Sequence, residues 1–288
     1  MRFTAETMRL SDADLADIRM KIYHSTGDGY YVFRNFISPD VVKHMRDLWG
    51  RIDPAAVSPP FSGNEHVYAG CPDYHARYTD GSTIFYNFLF AEPLDEVTRE
   101  VAVCVHMLRN RLSGRNAFSD LNGPHHAVSY RVTVNKNYEN WIAPHRDFLE
   151  YEKRFEKGQY DPSRLQATLF LSKKGEDYEG TAFSMENNAG REIVFGSDVN
   201  IEPGDLVIWK YTNLHGVSQV TTPPGKLGLL RIIFPIYDLK PNSGLVIPSA
   251  PGSHVQDQGP ARYRDLLMLV VSRGVKGIAR RLKSLIGA

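Results

Sequence analysis

A His-Arg-Asp triplet at His145, Arg146 and Asp147 is followed by a further histidine, His215, sixty-eight residues beyond Asp147, and by a basic residue, Arg231, sixteen residues beyond that. Two imidazoles and one carboxylate are the donor set that holds a non-haem Fe(II) on one face and leaves three coordination positions open. Those positions accept a bidentate 2-oxo acid and O2. A cation further along the chain can grip the far carboxylate of 2-oxoglutarate through charge-assisted hydrogen bonds. The same donors also take Mn, Co or Zn, so the residues point to a kind of metal site before they point to one ion.

The triplet alone is a weak signal in a chain with ten histidines. The elements that must position it add weight. The run HAVSYRVTVNKN from His126 alternates β-formers and predicts a strand. In YENWIAPHRDF, His145 follows Pro144 in a segment biased toward extended backbone, which puts His145 and Asp147 on the same side. Around His215, IEPGDLVIWKYTNLHGVSQV reads as a Pro203-Gly204-Asp205 turn, an apolar strand, and a histidine that opens another β-prone stretch. Both ligand groups are therefore expected at strand ends. The adjacent pair His125-His126 is a poorer metal site, because neighbours on a strand face opposite ways. His66 and His75 read as surface or loop residues.

These segments resemble the Fe(II)/2-oxoglutarate-dependent dioxygenases, and among them the phytanoyl-CoA hydroxylase-like branch. The resemblance rests on DGYYVFRNFISPDVVKHMRDLW from Asp28, the HRD, the PGDLVIWKYTNLHGVSQV block and the basic residue leading RIIFPIYD, and it spans roughly residues 25 to 240. It implies a double-stranded β-helix, a jelly roll or cupin-like barrel, and implies His145, Asp147 and His215 as metal ligands. Arg231 becomes the residue that grips the 2-oxoglutarate C5 carboxylate. Lys226 competes for that role, since related chains place the basic residue closer to the distal histidine. Arg231 is preferred because it leads a strand, whereas Lys226 sits beside the Pro223-Pro224-Gly225 turn. The implied chemistry consumes O2 and 2-oxoglutarate, releases succinate and CO2, and hydroxylates an unactivated C–H bond of a small molecule. Asp147 argues against halogenation, in which a small residue replaces the carboxylate. Desaturation or cyclisation uses the same motif and remains an alternative.

Further cosubstrate contacts are expected from Tyr130 and Thr133 on the strand before the HRD, from Thr168 on the strand after it, and from Trp209. For each hydroxyl a satisfied structural role is the competing reading, and for Trp209 it is core packing. Asn135 and Lys136 could line the same cavity. Arg77 and Tyr78 are candidates for substrate contact.

At 288 residues and 42% hydrophobic, the chain can bury one large core. We expect a single catalytic domain over 1–260, mainly β with N-terminal helices and a jelly-roll core. A net charge of +1 gives no support for nucleic-acid binding. Cys71 and Cys104 show no metal-ligand pattern and read as free thiols of a reducing compartment, with one disulfide between them as the alternative. There is no apolar leader and no run long enough to span a bilayer, so a cytoplasmic protein is expected.

Along the chain, Ser11 caps a helix through about His24, with Asp12 and Asp14 in its first turn. YYVFRN is a short strand. Ser38-Pro39 opens a helix running through Trp49. Residues 53–90 read as a long aromatic loop, and a third helix extends from Pro93 to Gly114. RLQATLFLSK, TAFSME, REIVFG, DLVIWK, HGVSQV and LGLLRIIFPIY supply six further β segments. The charged insert FLEYEKRFEKGQYDPS is helix-prone. Residues 261–288 form a basic amphipathic helix suited either to packing on the barrel or a second subunit, or to peripheral contact with an anionic membrane surface. A non-catalytic jelly-roll module that binds a ligand is the alternative of a different class, and it would need none of the ligand residues intact.

Overall fold

The computed structural model describes residues 3, 10–53, 74–79, 81–89, 93–118, 126–137, 142–146 and 164–238. All lie in the first of two compact units, Met1–Ile247; the second, Pro248–Ala288, falls outside them, and with it the expected C-terminal helix.

Local chemistry explains the helices. Helix α1 (Asp12–Tyr23) begins with a capping box, in which Ser11 Oγ accepts from the Asp14 amide at 3.2 Å and the Asp14 carboxylate accepts from the Ser11 amide at 2.8 Å. Its buried face is Leu15, Ile18 and Ile22, at helical spacing. Helix α2 (Pro39–Trp49) has proline in its first turn, where no amide is needed, and buries Val41, Val42, Met45 and Trp49. Helix α3 (Glu96–Leu112) starts later than its expected Pro93, because Asp95 accepts from the Thr98 amide at 2.8 Å and hydroxyl at 2.7 Å and so sets the N-cap.

The strands are β1 (Tyr30–Phe33), β2 (Tyr74–Thr79), β3 (Ser82–Phe88), β4 (His126–Asn135), β5 (Ile142–His145), β6 (Leu165–Phe170), β7 (Phe183–Glu186), β8 (Glu192–Val194), β9 (Leu206–Lys210), β10 (His215–Val217), β11 (Leu229–Ile233) and β12 (Ile236–Asp238). They form two antiparallel sheets. The larger runs β1-β9-β6-β11-β4-β3-β2 with β12 also on β4, and the smaller runs β5-β10-β7-β8. The expected loop over 53–90 is corrected in part: Tyr74–Thr79 and Ser82–Phe88 pair as a hairpin, with Gly81 at φ +81° in its turn. The rest of that segment, residues 54–73, lies outside the described residues, as do His66, the insert after the HRD and His125.

Strand alternation sorts the larger sheet's two faces. On one, Val132, Val134, Leu165, Ala167, Leu169, Leu206, Ile208, Leu230 and Ile232 pack with Ile22, Met45, Trp49, Val101 and Val105 of the helices. On the other, Phe170, Val207, Trp209 and Leu229 pack with Phe183, Met185, Phe195 and Val217 of or near the smaller sheet. Because both faces are covered, β6 is buried at all six positions. The Pro203-Gly204-Asp205 turn feeds β9: Gly204 takes φ +103°, and the buried Asp205 carboxylate accepts from Arg34 at 2.7 Å and from the Asn35 and Glu202 amides at 2.9 and 3.1 Å.

Among the described residues no helix is long and apolar enough to cross a membrane. Cys104 is a free thiol, its pKa pushed up to about 11 by burial and by Glu100, which makes it a poor nucleophile.

Candidate metal and cosubstrate site

His145 closes β5 and His215 opens β10, and antiparallel register sets them directly opposite each other. Their ring centroids are 4.6 Å apart with planes at 48°. His215 Nδ1 lies 3.0 Å from the Asn213 carbonyl oxygen. A carbonyl can only accept, so Nδ1 donates in that bond, the usual way a backbone carbonyl orients a ligating imidazole. The Asn213 side chain is buried and donates to the Glu186 carbonyl at 2.9 Å, so the turn that presents His215 is tied to β7. Arg146 adds a second tie, donating to the Thr212 carbonyl and, at 3.2 Å, to the Glu186 carboxylate. Neither role of Asn213 or Arg146 was foreseen from sequence; the only signal was their closeness to His215 and His145.

Among the described residues no three His, Cys, Asp or Glu side chains cluster as a metal site, and the pair of imidazoles is what they contribute. Asp147, the expected carboxylate, lies outside the described residues.

Arg231 is 4% exposed and sits on the face of the larger sheet turned toward the smaller one. Its guanidinium carbon is 5.3 Å from the centroid of the Phe183 ring, whose centroid is in turn 6.3 Å from His215. Tyr178 is also buried near this cation; burial pushes its phenol up to about 12 despite the opposing pull of Arg231, so the ring stays neutral at ordinary pH. Lys226, by contrast, is an exposed turn residue whose amide donates to the Pro223 carbonyl at 3.1 Å.

Thr133 faces Arg231 across β4 and β11, and its hydroxyl donates to the Arg231 carbonyl at 3.3 Å. Thr168 on β6 stands opposite Ile233 on β11 and Val207 on β9, two residues along from the levels of Arg231 and Trp209. The Trp209 ring meets His215 edge-on, centroids 5.6 Å apart. Thr168 Oγ1 and Trp209 Nε1 are both buried with no hydrogen-bond partner among the described residues. Orphaned donors of this kind are rare in a packed interior, and here they line the path from His215 to Arg231.

Tyr130 requires a correction. It shares the phase of Val132 and Val134, so it points to the helices, where it is buried and its hydroxyl donates to Asn87. Alternation separates it from Thr133 and Arg231, and its role is structural. Asn135 is buried on the inner face and donates to Ser82 Oγ at 3.1 Å, while Lys136 is exposed. His75, Arg77 and Tyr78 lie on β2 rather than in a loop.

Comparison with protein-family models and with curated proteins finds no match. Among solved structures, a Pseudomonas putida prolyl-4-hydroxylase is similar with a TM-score of 0.50 at 15% identity, covering 78% of this chain and 99% of its own. The chain is a double-stranded β-helix. The non-heme alpha ketoglutarate dependent epimerase SnoN from nogalamycin biosynthesis has a TM-score of 0.48 at 12% identity, covering 86% of this chain and 94% of that one. EctD from S. alaskensis, solved with 2-oxoglutarate and 5-hydroxyectoine, has a TM-score of 0.42 at 15% identity over 80% and 76%. Identities this low speak to the fold, and the chemistry has to be argued from the residues.

Proposed function

We propose that this chain is a non-haem Fe(II)- and 2-oxoglutarate-dependent oxygenase, nearest in its motifs to the phytanoyl-CoA hydroxylase-like branch, that hydroxylates a small molecule. The observation that carries the reading is the registered His145–His215 pair in the same barrel as the buried Arg231. The donor set fits iron: His215 is oriented through Nδ1, His145 faces it, and Asp147 is two residues on in the chain. When bound, Fe(II) with 2-oxoglutarate and O2 supplies oxidative decarboxylation to succinate and CO2 coupled to oxidation of a C–H bond.

The residues of the chain do the rest. Arg231 holds the C5 carboxylate by a charge-assisted pair in a site walled by Phe183, where low polarity strengthens it. Thr168 Oγ1 and Trp209 Nε1 donate to the cosubstrate along its length, which accounts for two buried donors otherwise left without partners. Phe183, Val207 and Val217 exclude water from the same space. The motif itself does not separate hydroxylation from desaturation or cyclisation, so substrate placement selects the outcome, and hydroxylation is the simplest of them.

The test is O2-dependent conversion of 2-oxoglutarate to succinate by the full chain supplied with Fe(II), screened over small-molecule substrates. We expect stimulation by the right substrate and no turnover in His215→Ala. Turnover that survives His215→Ala contradicts the assignment.

A further inference from the structure

We propose that Met185 is a modification site within the barrel: when 2-oxoglutarate is consumed with no substrate in place, the Met185 thioether receives the oxygen atom and becomes methionine sulfoxide. The inference rests on the oxygenase reading and adds an acceptor, built into the chain, beside the candidate metal ligands.

Strand register puts the thioether there. At one level of the smaller sheet, His145 stands opposite His215, His215 opposite Met185, and Met185 opposite Ile193. Directly opposed residues share a face of the sheet, with Cβ atoms about 4.5–5.5 Å apart. Phe183, two residues before Met185 on β7, shows which face this is: its ring centroid is 5.3 Å from Trp209 and 6.3 Å from His215. Alternation sends Met185 to the same side. There it is 1% exposed, in the apolar cluster of Phe183, Ile193, Trp209 and Val217.

Chemistry singles it out among the neighbours of His215. The rings of His145, Trp209 and Phe183 lie 4.6, 5.6 and 6.3 Å from His215 between centroids, and oxidising any of them means disturbing an aromatic system. A thioether takes an oxygen atom directly on a sulphur lone pair. In the balanced step the O–O bond of dioxygen and the C1–C2 bond of 2-oxoglutarate break. One oxygen atom forms the S–O bond of Met185, the other enters the new carboxylate of succinate, and CO2 leaves. The thioether and 2-oxoglutarate each give up two electrons, O2 takes four, and no proton is gained or lost. The product is a polar group among Phe183, Ile193 and Val217, where apolar packing backs the pairing of β7 with β10.

Two other methionines serve as internal references. Met20 on α1 is 57% exposed and is the natural target of any oxidant free in solution. Met45 on α2 is fully buried, but in the cluster on the opposite face of the larger sheet. Oxidation from solvent reaches Met20 first, whereas oxidation generated beside His215 reaches Met185 and spares both references.

The full chain, loaded with Fe(II) and 2-oxoglutarate, is exposed to air without substrate and with catalase to remove free peroxide; succinate is measured, and peptide mass spectrometry locates the added oxygen. The expected result is sulfoxide at Met185 ahead of Met20 and Met45, rising with succinate and absent in His215→Ala. Succinate formed while Met185 stays a thioether, oxygen found on Trp209 or Phe183 in its stead, or Met20 oxidised as fast as Met185 overturns the proposal. No consumption of 2-oxoglutarate at all is a failure of the oxygenase reading instead. The place of the thioether is then decided by treating the chain with hydrogen peroxide with and without Fe(II): oxidation of Met185 that depends on the metal upholds it, and oxidation confined to Met20 overturns it.

Discussion

Replacing Arg231 by methionine separates the two basic residues that compete for 2-oxoglutarate. Arg231 is 4% exposed and packs its guanidinium over Phe183, so methionine keeps much of the volume and loses only the charge and its donors. Truncating one partner of a buried, hydrogen-bonded charge pair costs about 2–5 kcal/mol, because the other charge is left buried and unmatched. In binding terms that is roughly thirtyfold to several thousandfold in Kd. Lys226 is exposed at a turn, and it is its amide that donates to the Pro223 carbonyl. Its replacement by alanine is a surface change worth within about 0.5 kcal/mol, little more than twofold. Both values are read by calorimetry of 2-oxoglutarate binding to the Fe(II)-loaded protein without oxygen, with a thermal melt of each variant to show that it is folded. A larger loss in Lys226→Ala than in Arg231→Met would refute the placement of the cosubstrate inside the barrel.

Other consequences follow from particular contacts. Gly29→Ala places a side chain at φ +80° with its Cβ 2.6 Å from Asn213 Nδ2 and 2.7 Å from Asn188 Oδ1; a loss of about 1–3 kcal/mol in urea unfolding is expected, together with weaker Fe(II) binding as the His215 turn shifts. Asn213→Ala leaves the backbone bond to His215 in place but removes the tie to Glu186, and a fall of about tenfold in Fe(II) affinity, measured by competition with a chelator, is the expected result. Trp209→Phe keeps the aromatic contact with His215 while deleting the orphaned donor, so stability is held or slightly raised and 2-oxoglutarate affinity drops. Asp95 is raised by burial but lowered more by hydrogen bonds from Thr98 and His44, so its folded pKa lies below the unfolded one. Its contribution is present above the ordinary aspartate range and is lost as pH falls through the folded value; Asp95→Asn should flatten that part of the urea midpoint against pH.

Much of this was legible because local chemistry and tertiary packing agree. Ser11 and Asp14 announce their capping box, Ser38-Pro39 opens a helix where it should, and the PGD turn before LVIWK marks the strand that delivers the chain to His215. The hairpin of β2 and β3 is signalled in the sequence only by Asp80-Gly81, a two-residue turn pair, and the aromatic, proline-rich segment before it masks the strand alternation. Phase separates Tyr130 from Thr133: Tyr130, Val132 and Val134 alternate with Arg131, Thr133 and Asn135, and the valines belong to the helix side, which leaves Tyr130 its structural role. No such phase exists in LVIWK, which is apolar on both faces because both are covered, so only the structure could show that Val207 and Trp209 turn inward while Leu206 and Ile208 turn to the helices. The carbonyl of Asn213 leaves no trace in composition at all, since any residue supplies one.

The most direct test of the central claim is an anaerobic titration of the metal-free chain with Fe(II) and then 2-oxoglutarate, followed in the visible for the weak charge-transfer band of a chelated 2-oxo acid on iron. The account predicts that the band appears at one equivalent of each and is absent in His215→Ala and Asp147→Ala. Bound iron without the band in the wild-type protein would contradict it.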